Sequence, residues 1–259
     1  GLGFGAGWGL TLKSRLRVQE PLVATFLKTP SAMICEVLGR SDLDVVCIDA
    51  EHSPFDRRDI NDCVLALTHV GKPSLVRIPA NRSEYILNAL DCGVTGILVP
   101  HIITGDDARA LAANSHFGTG RGYAGSTRAA GYGARKMAEH KAVSAKSTVI
   151  IAQIEDADAL DHLDDLLSVE TIDAFFIGRA DLSVSLGADG PNDPQVITAV
   201  EQICAKGKEA GATIGMFTAN LDELPKWRAA GASLFLLSSD HGFMQSGAAE
   251  LTTKVRAHF

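Results

Sequence analysis

Positive charge is scarce in this chain: 24 Lys and Arg face 31 Asp and Glu, for a formal net charge of -7. A phosphate backbone would be repelled unless the few cations gathered on one face, and no Lys/Arg block gathers them. Nucleic acid is therefore not an expected partner. Long apolar runs are missing too, since no stretch reaches the roughly 20 residues needed to span a bilayer. The opening GLGFGAGWGLTLKSRLR carries its basic residues after its apolar part, the reverse of a signal peptide. It reads as a loose N-terminus followed by a short helix, and the protein is expected to be cytoplasmic, with no membrane partner. Cysteine is sparse: Cys35, Cys47, Cys63, Cys92 and Cys204 are odd in number and form no CxxC pair. Several sit in apolar runs where a small buried thiol fits, so they read as reduced and structural.

What is present is a sequence of short β-rich runs. LVATF begins at Leu22, VVCID at Val45, SLVRI at Ser74 and GILVP at Gly96; TVIIAQIE begins at Thr148, AFFIG at Ala174, TIGMF at Thr213 and LFLLSS at Leu234. Most are near-continuous rather than alternating, as expected of parallel strands covered on both faces. Between them lie amphipathic segments such as SEYILNALDCG, DALDHLDDLLSVE and PQVITAVEQICAKGKEAG, with Gly93 and Gly211 placed as helix stops. Eight strands alternating with helices predict a single-domain (β/α)8 barrel over 22–259, preceded by the segment and short helix of 1–21. An open doubly wound sheet competes but has no reason to stop at eight. The connection from Pro100 to Thr148 breaks the rhythm, with room for a helix and then GTGRGYAGSTRAAGYG. Its GxGxxG match at Gly120–Gly125 follows a helix instead of a strand, so a mobile or intersubunit loop is expected there, not a nucleotide site.

In such a barrel the active site lies at the C-terminal strand ends. There the second strand delivers Asp49, Glu51 and His52, the third Arg77, and the fifth Gln153 and Glu155, two apart and so on one face. The sixth ends in GRADLS, with Asp181 near a helix start. Glu155 and Asp181 on neighbouring strands would repel each other unless a divalent cation lay between them, and two carboxylates suit a hard ion, Mg2+ or Mn2+, with Co2+ also admissible. Plainer readings stand beside this one. Asp181 serves equally as an N-cap, Glu155 as the partner of a barrel Arg, Arg77 as half of an ion pair, His52 as a loop histidine and Asp91 as a structural residue at a helix end. If the chemical reading holds, the His52 imidazole suits proton abstraction and Arg77 suits an oxyanion.

Taken together, CIDAEHSP, LVRIP, DCGVTGILVP, AQIED and FIGRADLSVSLG resemble the HpcH/HpaI family of class II, metal-dependent 2-keto acid aldolases, including those acting on 4-hydroxy-2-oxoheptanedioate and 2-keto-3-deoxy sugar acids. The resemblance runs from about Leu22 across nearly the whole chain, with five motifs in order. It implies reversible addition of a pyruvate or hydroxypyruvate enolate to an aldehyde, with the metal as Lewis acid. By match to the family motifs, Glu155 and Asp181 are the metal ligands, His52 the general base, Asp91 the carboxylate that raises its basicity, and Arg77 the transition-state stabiliser. Gln153, Asp181 and the backbone at Ala180 correspond to substrate-binding positions. The resemblance also implies small-molecule 2-keto acid and aldehyde partners and a homotrimer or homohexamer, which would give the Gly-rich loop a purpose.

Two departures stand out: Arg179 occupies a position where relatives often carry Pro, and the last strand ends in LLSSDHGFM where many have Gly-Val-Asp. Both bear on substrate identity, and Arg121 and Arg128 are candidates to meet an acidic tail. The competing functions are a CoA-ester lyase of the citrate or malyl-CoA kind, an oxaloacetate decarboxylase, and a barrel that binds without catalysis.

Overall fold

A computed structural model describes residues 11–259; the opening ten residues, part of the segment read as a loose N-terminus, lie outside them. In chain order the elements are α1 (Leu12–Arg17), β1 (Leu22–Leu27), α2 (Ala32–Gly39), β2 (Val45–Asp49), α3 (Arg57–His69), β3 (Ser74–Arg77), α4 (Ser83–Asp91), β4 (Gly96–Val99), α5 (Gly105–Ser115), α6 (Met137–Ser147), β5 (Val149–Ile154), α7 (Leu163–Leu167), β6 (Ala174–Ile177), α8 (Arg179–Ser185), α9 (Pro194–Ala210), β7 (Ile214–Phe217), α10 (Leu224–Ala229), β8 (Ala232–Ser239) and α11 (Asp240–Arg256). The strands are parallel and sequential, and β1 pairs with both β2 and β8, so the sheet closes into the expected (β/α)8 barrel.

Closure explains why the strands read as unbroken apolar runs. Along β2, Val45 and Cys47 face the interior with Leu22, Ala24, Leu98 and Leu234, while Val46 and Ile48 face the helices. The same alternation runs through β5, where Val149 and Ile151 point in and Ile150, Ala152 and Ile154 point out. Both faces are apolar, which hides the period of two until the interior face turns polar at the C-terminal ends. At the opposite end α1 plugs the barrel: Leu12 and Leu16 join the interior cluster, and Lys13 reaches buried Asp173 at 3.0 Å.

Local signals place the helices. Asp56 and Asp59 form a capping box on α3, and Thr104 and Asp107 form another on α5. Pro194 opens α9 behind the Asp193 cap, and Gly211 ends it at φ +67. Two elements stand apart from the regular βα alternation. The long β4–β5 connection holds a second helix, α6, whose composition (MAEHKAVSAKS) carries no apolar stripe to announce it. The last helix, α11, leaves the barrel: only Asp240 of its 17 residues is buried, and Phe243, Met244, Leu251 and Val255 are exposed.

Candidate active site

Interior-facing positions at the strand tops converge on a cavity of about 650 Å³ lined by His52, Arg77, Gln153, Gly178, Arg179, Ala180 and Asp181, and by Asn192, Asn220 and Glu223 from the segments that follow β6 and β7. Phe26, Phe176 and Phe217 also line it, with Phe26 and Phe217 stacked 6.1 Å apart.

Asp49 and Arg77 are register partners on β2 and β3 and therefore point the same way. The guanidinium donates from Nε to Asp49 Oδ1 at 2.9 Å, and its Nη2 lies 2.9 Å from Oδ2. It also lies 4.4 Å from the Phe26 ring centre, so a salt bridge and an aromatic face fix its orientation. Lys28 Nζ donates to the same carboxylate at 3.1 Å, and the His52 backbone N–H donates to it at 3.2 Å. Burial would push the Asp49 carboxyl up, but these donors and the Arg77 charge outweigh it, and its pKa is lowered.

Glu155 extends the interior face of β5 by one step and is 1% exposed. It accepts from the His101 backbone N–H at 3.0 Å and from the Gln153 amide. Burial pushes its pKa up to about 7, and the charges of Glu51 and Asp181 add to that rise. Among the described residues no arginine pairs with it, which removes the plain ion-pair reading. Glu51 Oε2 is buried without a hydrogen bond, 3.4 Å from Arg77 Nε, and burial raises its pKa as well. His101, directly after Pro100, holds φ +55 and sets its Nδ1 3.0 Å from Asp156 Oδ2 and 3.5 Å from Glu155 Oε1. Burial opposes protonation of that imidazole, but the bond to Asp156 and the surrounding carboxylates prevail and its pKa is raised. Ligand atoms of Glu51, His101 and Glu155 all lie within 4.8 Å of one another, a set able to hold a metal ion.

Gly178 is required where β6 meets this cluster: a Cβ there would stand 2.6 Å from Glu155 Oε2 and 2.7 Å from Gln153 Nε2. Asp181 follows inside the first turn of α8. The cap position is Gly178, so Asp181 is not an N-cap. Its carboxylate stays available to the cavity, where its charge reaches both Glu51 and Glu155. Gln153 Oε1 is likewise buried without a partner.

Of the residues singled out in the sequence, His52, Arg77, Gln153, Ala180 and Asp181 thus line one cavity, and Glu155 adjoins it through Gln153 and Gly178. Asp91 does not meet His52 within the chain. It pairs with Arg121 at 3.3 Å and lines a separate depression with Arg57, Arg58 and Asn61. Arg121 is buried over Phe117 and Arg128 is bound to Asn61, so within one chain neither reaches the cavity to meet an acidic tail. His101 and Lys28 escaped the sequence reading. Extending the strand-end rule to the residues after GILVP and LVATFL would have found both.

The sequence profile described as HpcH/HpaI aldolase/citrate lyase matches residues 23–246. A hydroxypyruvate/pyruvate aldolase of Paraburkholderia phytofirmans is 31% identical over 95% of this chain and 97% of its own length. A 2-dehydro-3,6-dideoxy-6-sulfogluconate aldolase of Pseudomonas putida is 31% identical over 93% of this chain and 95% of its own. The crystal structure of an HpcH/HpaI aldolase/citrate lyase family protein from Burkholderia cenocepacia superposes with a TM-score of 0.89 at 32% identity, covering 95% of this chain and 98% of that one. Fold, strand-end residues and these matches agree, and the chain belongs to the HpcH/HpaI aldolase/citrate lyase family.

Proposed function

We propose that the protein is an aldehyde-lyase that reversibly cleaves a 4-hydroxy-2-keto acid to pyruvate, or hydroxypyruvate, and an aldehyde. The observation that carries this reading is the pairing, at one barrel mouth, of a locked guanidinium with a group of carboxylates, the buried Glu155 and the half-buried Glu51 and Asp181, in which Glu51 and Glu155 with His101 form a set able to hold a metal ion. Relatives named as aldolases for hydroxypyruvate/pyruvate and for a deoxysugar acid support it.

The orphaned Glu51 Oε2 and the rise of Glu155 fit a site built for a divalent ion. Glu155 and Asp181 would hold it, with Glu51 and His101 adjoining; mostly oxygen donors favour Mg2+ or Mn2+, and the imidazole admits Co2+. When bound, such an ion supplies Lewis-acid polarisation of the keto oxygen and neutralises the acids around it. The remaining work falls to the chain. His52, half exposed at the cavity edge, accepts the proton of the C4 hydroxyl as the C3–C4 bond breaks and the aldehyde departs. The electron pair moves onto the keto oxygen, which Arg77 faces with a guanidinium already oriented by Asp49. Gln153 and the Ala180 backbone hold the substrate carboxylate. A proton returned to C3 completes pyruvate.

For Asp91 to raise the basicity of His52, the two must meet between subunits, and we read the protein as a homotrimer or homohexamer. The apolar stripe of Phe243, Leu251 and Val255 on the projecting α11 supports self-association. No described helix is long and apolar enough to cross a membrane, and five free buried cysteines suit the reducing cytoplasm proposed as its location. The barrel domain is taken as 22–259, with α1 as its plug.

The test is proton exchange at the pyruvate methyl in D2O, followed by NMR. Exchange that requires Mg2+ or Mn2+ and stops with a chelator is expected; no exchange, or exchange indifferent to chelation, would sink the reading.

A further inference from the structure

Arg179 stands between Gly178 and the Ala180–Asp181 pair, and the aldol chemistry assigns it nothing. It is 7% exposed. Its Nη1 donates to Glu223 Oε2 at 2.7 Å, and its Nη2 donates to the Pro191 carbonyl and to Asn192 Oδ1, both at 3.0 Å. The guanidinium lies 5.4 Å from the ring centre of Trp227, whose Nε1 donates to the same Glu223 oxygen at 2.8 Å. Arg179 Nε is buried without a partner. Three of the five guanidinium N–H groups are therefore committed to protein acceptors, and Nε is closed off from solvent. Arg179 is not built to receive an anionic substrate group.

What it does instead follows from where its partners sit. Pro191 and Asn192 belong to the connection between α8 and α9, and Glu223 to the turn that opens α10; with Asn220 they line the cavity from the segments that follow β6 and β7. The α8–α9 connection contains Gly187 at φ +68 and Gly190, and most of it is exposed or half-buried. Glycines and exposure leave such a segment free to open unless something holds it. A planar guanidinium reaching three acceptors from two segments is such a hold, and a lysine ammonium could not reproduce its fork.

We propose that Arg179 is a specificity-determining positioning residue: it clasps the 187–193 connection and the Asn220–Glu223 turn into one wall of the cavity. Resting on the aldolase reading, this assigns that wall to the part of the aldehyde beyond the carbonyl that His52 meets, because the keto acid end is occupied by Gln153, Glu155, Asp181 and Arg77. Arg179 sets aldehyde affinity without touching the aldehyde.

The experiment compares the wild-type protein with Arg179→Met and Arg179→Lys by three measurements. Amide hydrogen exchange reads the wall; KM for glycolaldehyde in pyruvate condensation reads the acceptor end; pyruvate methyl exchange without aldehyde reads the keto acid end. Loss of charge-assisted bonds in Arg179→Met should speed amide exchange in 187–193 and 219–224 by about tenfold and raise the glycolaldehyde KM about tenfold, with a smaller change in methyl exchange. Arg179→Lys should keep the Glu223 pair, so 219–224 stays protected while 187–193 opens. Unchanged amide exchange in both segments of Arg179→Met would overturn the clasp. Methyl exchange falling as far as condensation would overturn the assignment of the wall to the aldehyde. A wild-type protein without methyl exchange would defeat the aldolase reading alone, since amide exchange still decides on the clasp.

Discussion

Asp49 and Glu155 are two acids on the interior face at the top of one barrel, 0% and 1% exposed, and their affinities for a proton move in opposite directions. Asp49 is lowered because Arg77, Lys28 and a backbone N–H meet it. Glu155 is raised to about 7 because it is buried among other carboxylates, with an amide, a backbone N–H and a neighbouring imidazole for company. Burial alone therefore decides nothing about a strand-end acid; its neighbours do. Asp49 is complete in the folded chain and acts by holding Arg77. Glu155 has neither arginine nor lysine beside it among the described residues, only the His101 imidazole, and with Glu51 and His101 it forms a set able to hold a metal ion.

The comparison breaks most violently at Asp49. In Asp49→Ala, Arg77 and Lys28 lose their shared counter-ion, and a guanidinium that is 7% exposed stays buried without its carboxylate. Removing one partner of such a pair costs about 3–5 kcal/mol, to be read by urea unfolding. Loss of the oriented donor at the keto oxygen should lower pyruvate methyl exchange by about 10²–10³-fold. Asp49→Asn retains volume and one acceptor and should lose less stability while remaining impaired in exchange. Near-normal exchange in both variants would show that Arg77 does not depend on Asp49 for its position.

The contrast also explains what could be read from the sequence. The barrel was legible because eight apolar runs recur at βα spacing, and Asp49, Arg77, Gln153 and Glu155 were legible because a polar residue ending such a run is anomalous. Asp49 and Glu155 nevertheless looked alike there, since the donors that separate them come from other strands: Arg77 from β3 and Lys28 from the end of β1. His101 was hidden by Pro100, a residue that reads as the end of the fourth run, one position before the imidazole that meets Glu155. The clasp of Arg179 joins positions 12, 13 and 44 residues apart, a proximity that no local pattern encodes. Asp91 shows the reverse limit, a motif match whose partner in the folded chain is Arg121.

Glu155 gives the next largest effect, with the opposite sign. A carboxyl whose folded pKa is raised contributes stability that is present below its unfolded value and is lost as pH rises through about 7. At about 1.4 kcal/mol per pKa unit, the ionised group should destabilise the chelated protein by roughly 3 kcal/mol at pH 8. Glu155→Gln removes that penalty, so in chelator its Tm should exceed that of the wild-type protein at pH 8 and converge with it near pH 4.5. Calorimetry with Mn2+ should show binding to the wild type that weakens as pH falls below about 7, and no comparable binding to the variant. A Glu155→Gln protein that binds Mn2+ normally would remove Glu155 from the ligand set.

Lys28 supplies the smallest effect and the finest test. Its ammonium is about one-third exposed and meets Asp49 at a single oxygen, whereas Arg77 grips both oxygens from a buried position. If Arg77 is the partner that lowers Asp49, Lys28→Met should cost at most about 1 kcal/mol, the scale of a partly solvated pair. The sign of the pH dependence should survive as well. A depressed carboxyl stabilises above its unfolded pKa and loses that stability as pH falls through the folded one, so both proteins should melt on the acid side, the variant only slightly earlier. Acid titrations of Tm read the difference. A loss from Lys28→Met as large as that from Asp49→Ala would make the ammonium the principal partner. The contrast between the two acids would then rest on the end of β1, and Arg77 would be held chiefly by Phe26 and Glu51.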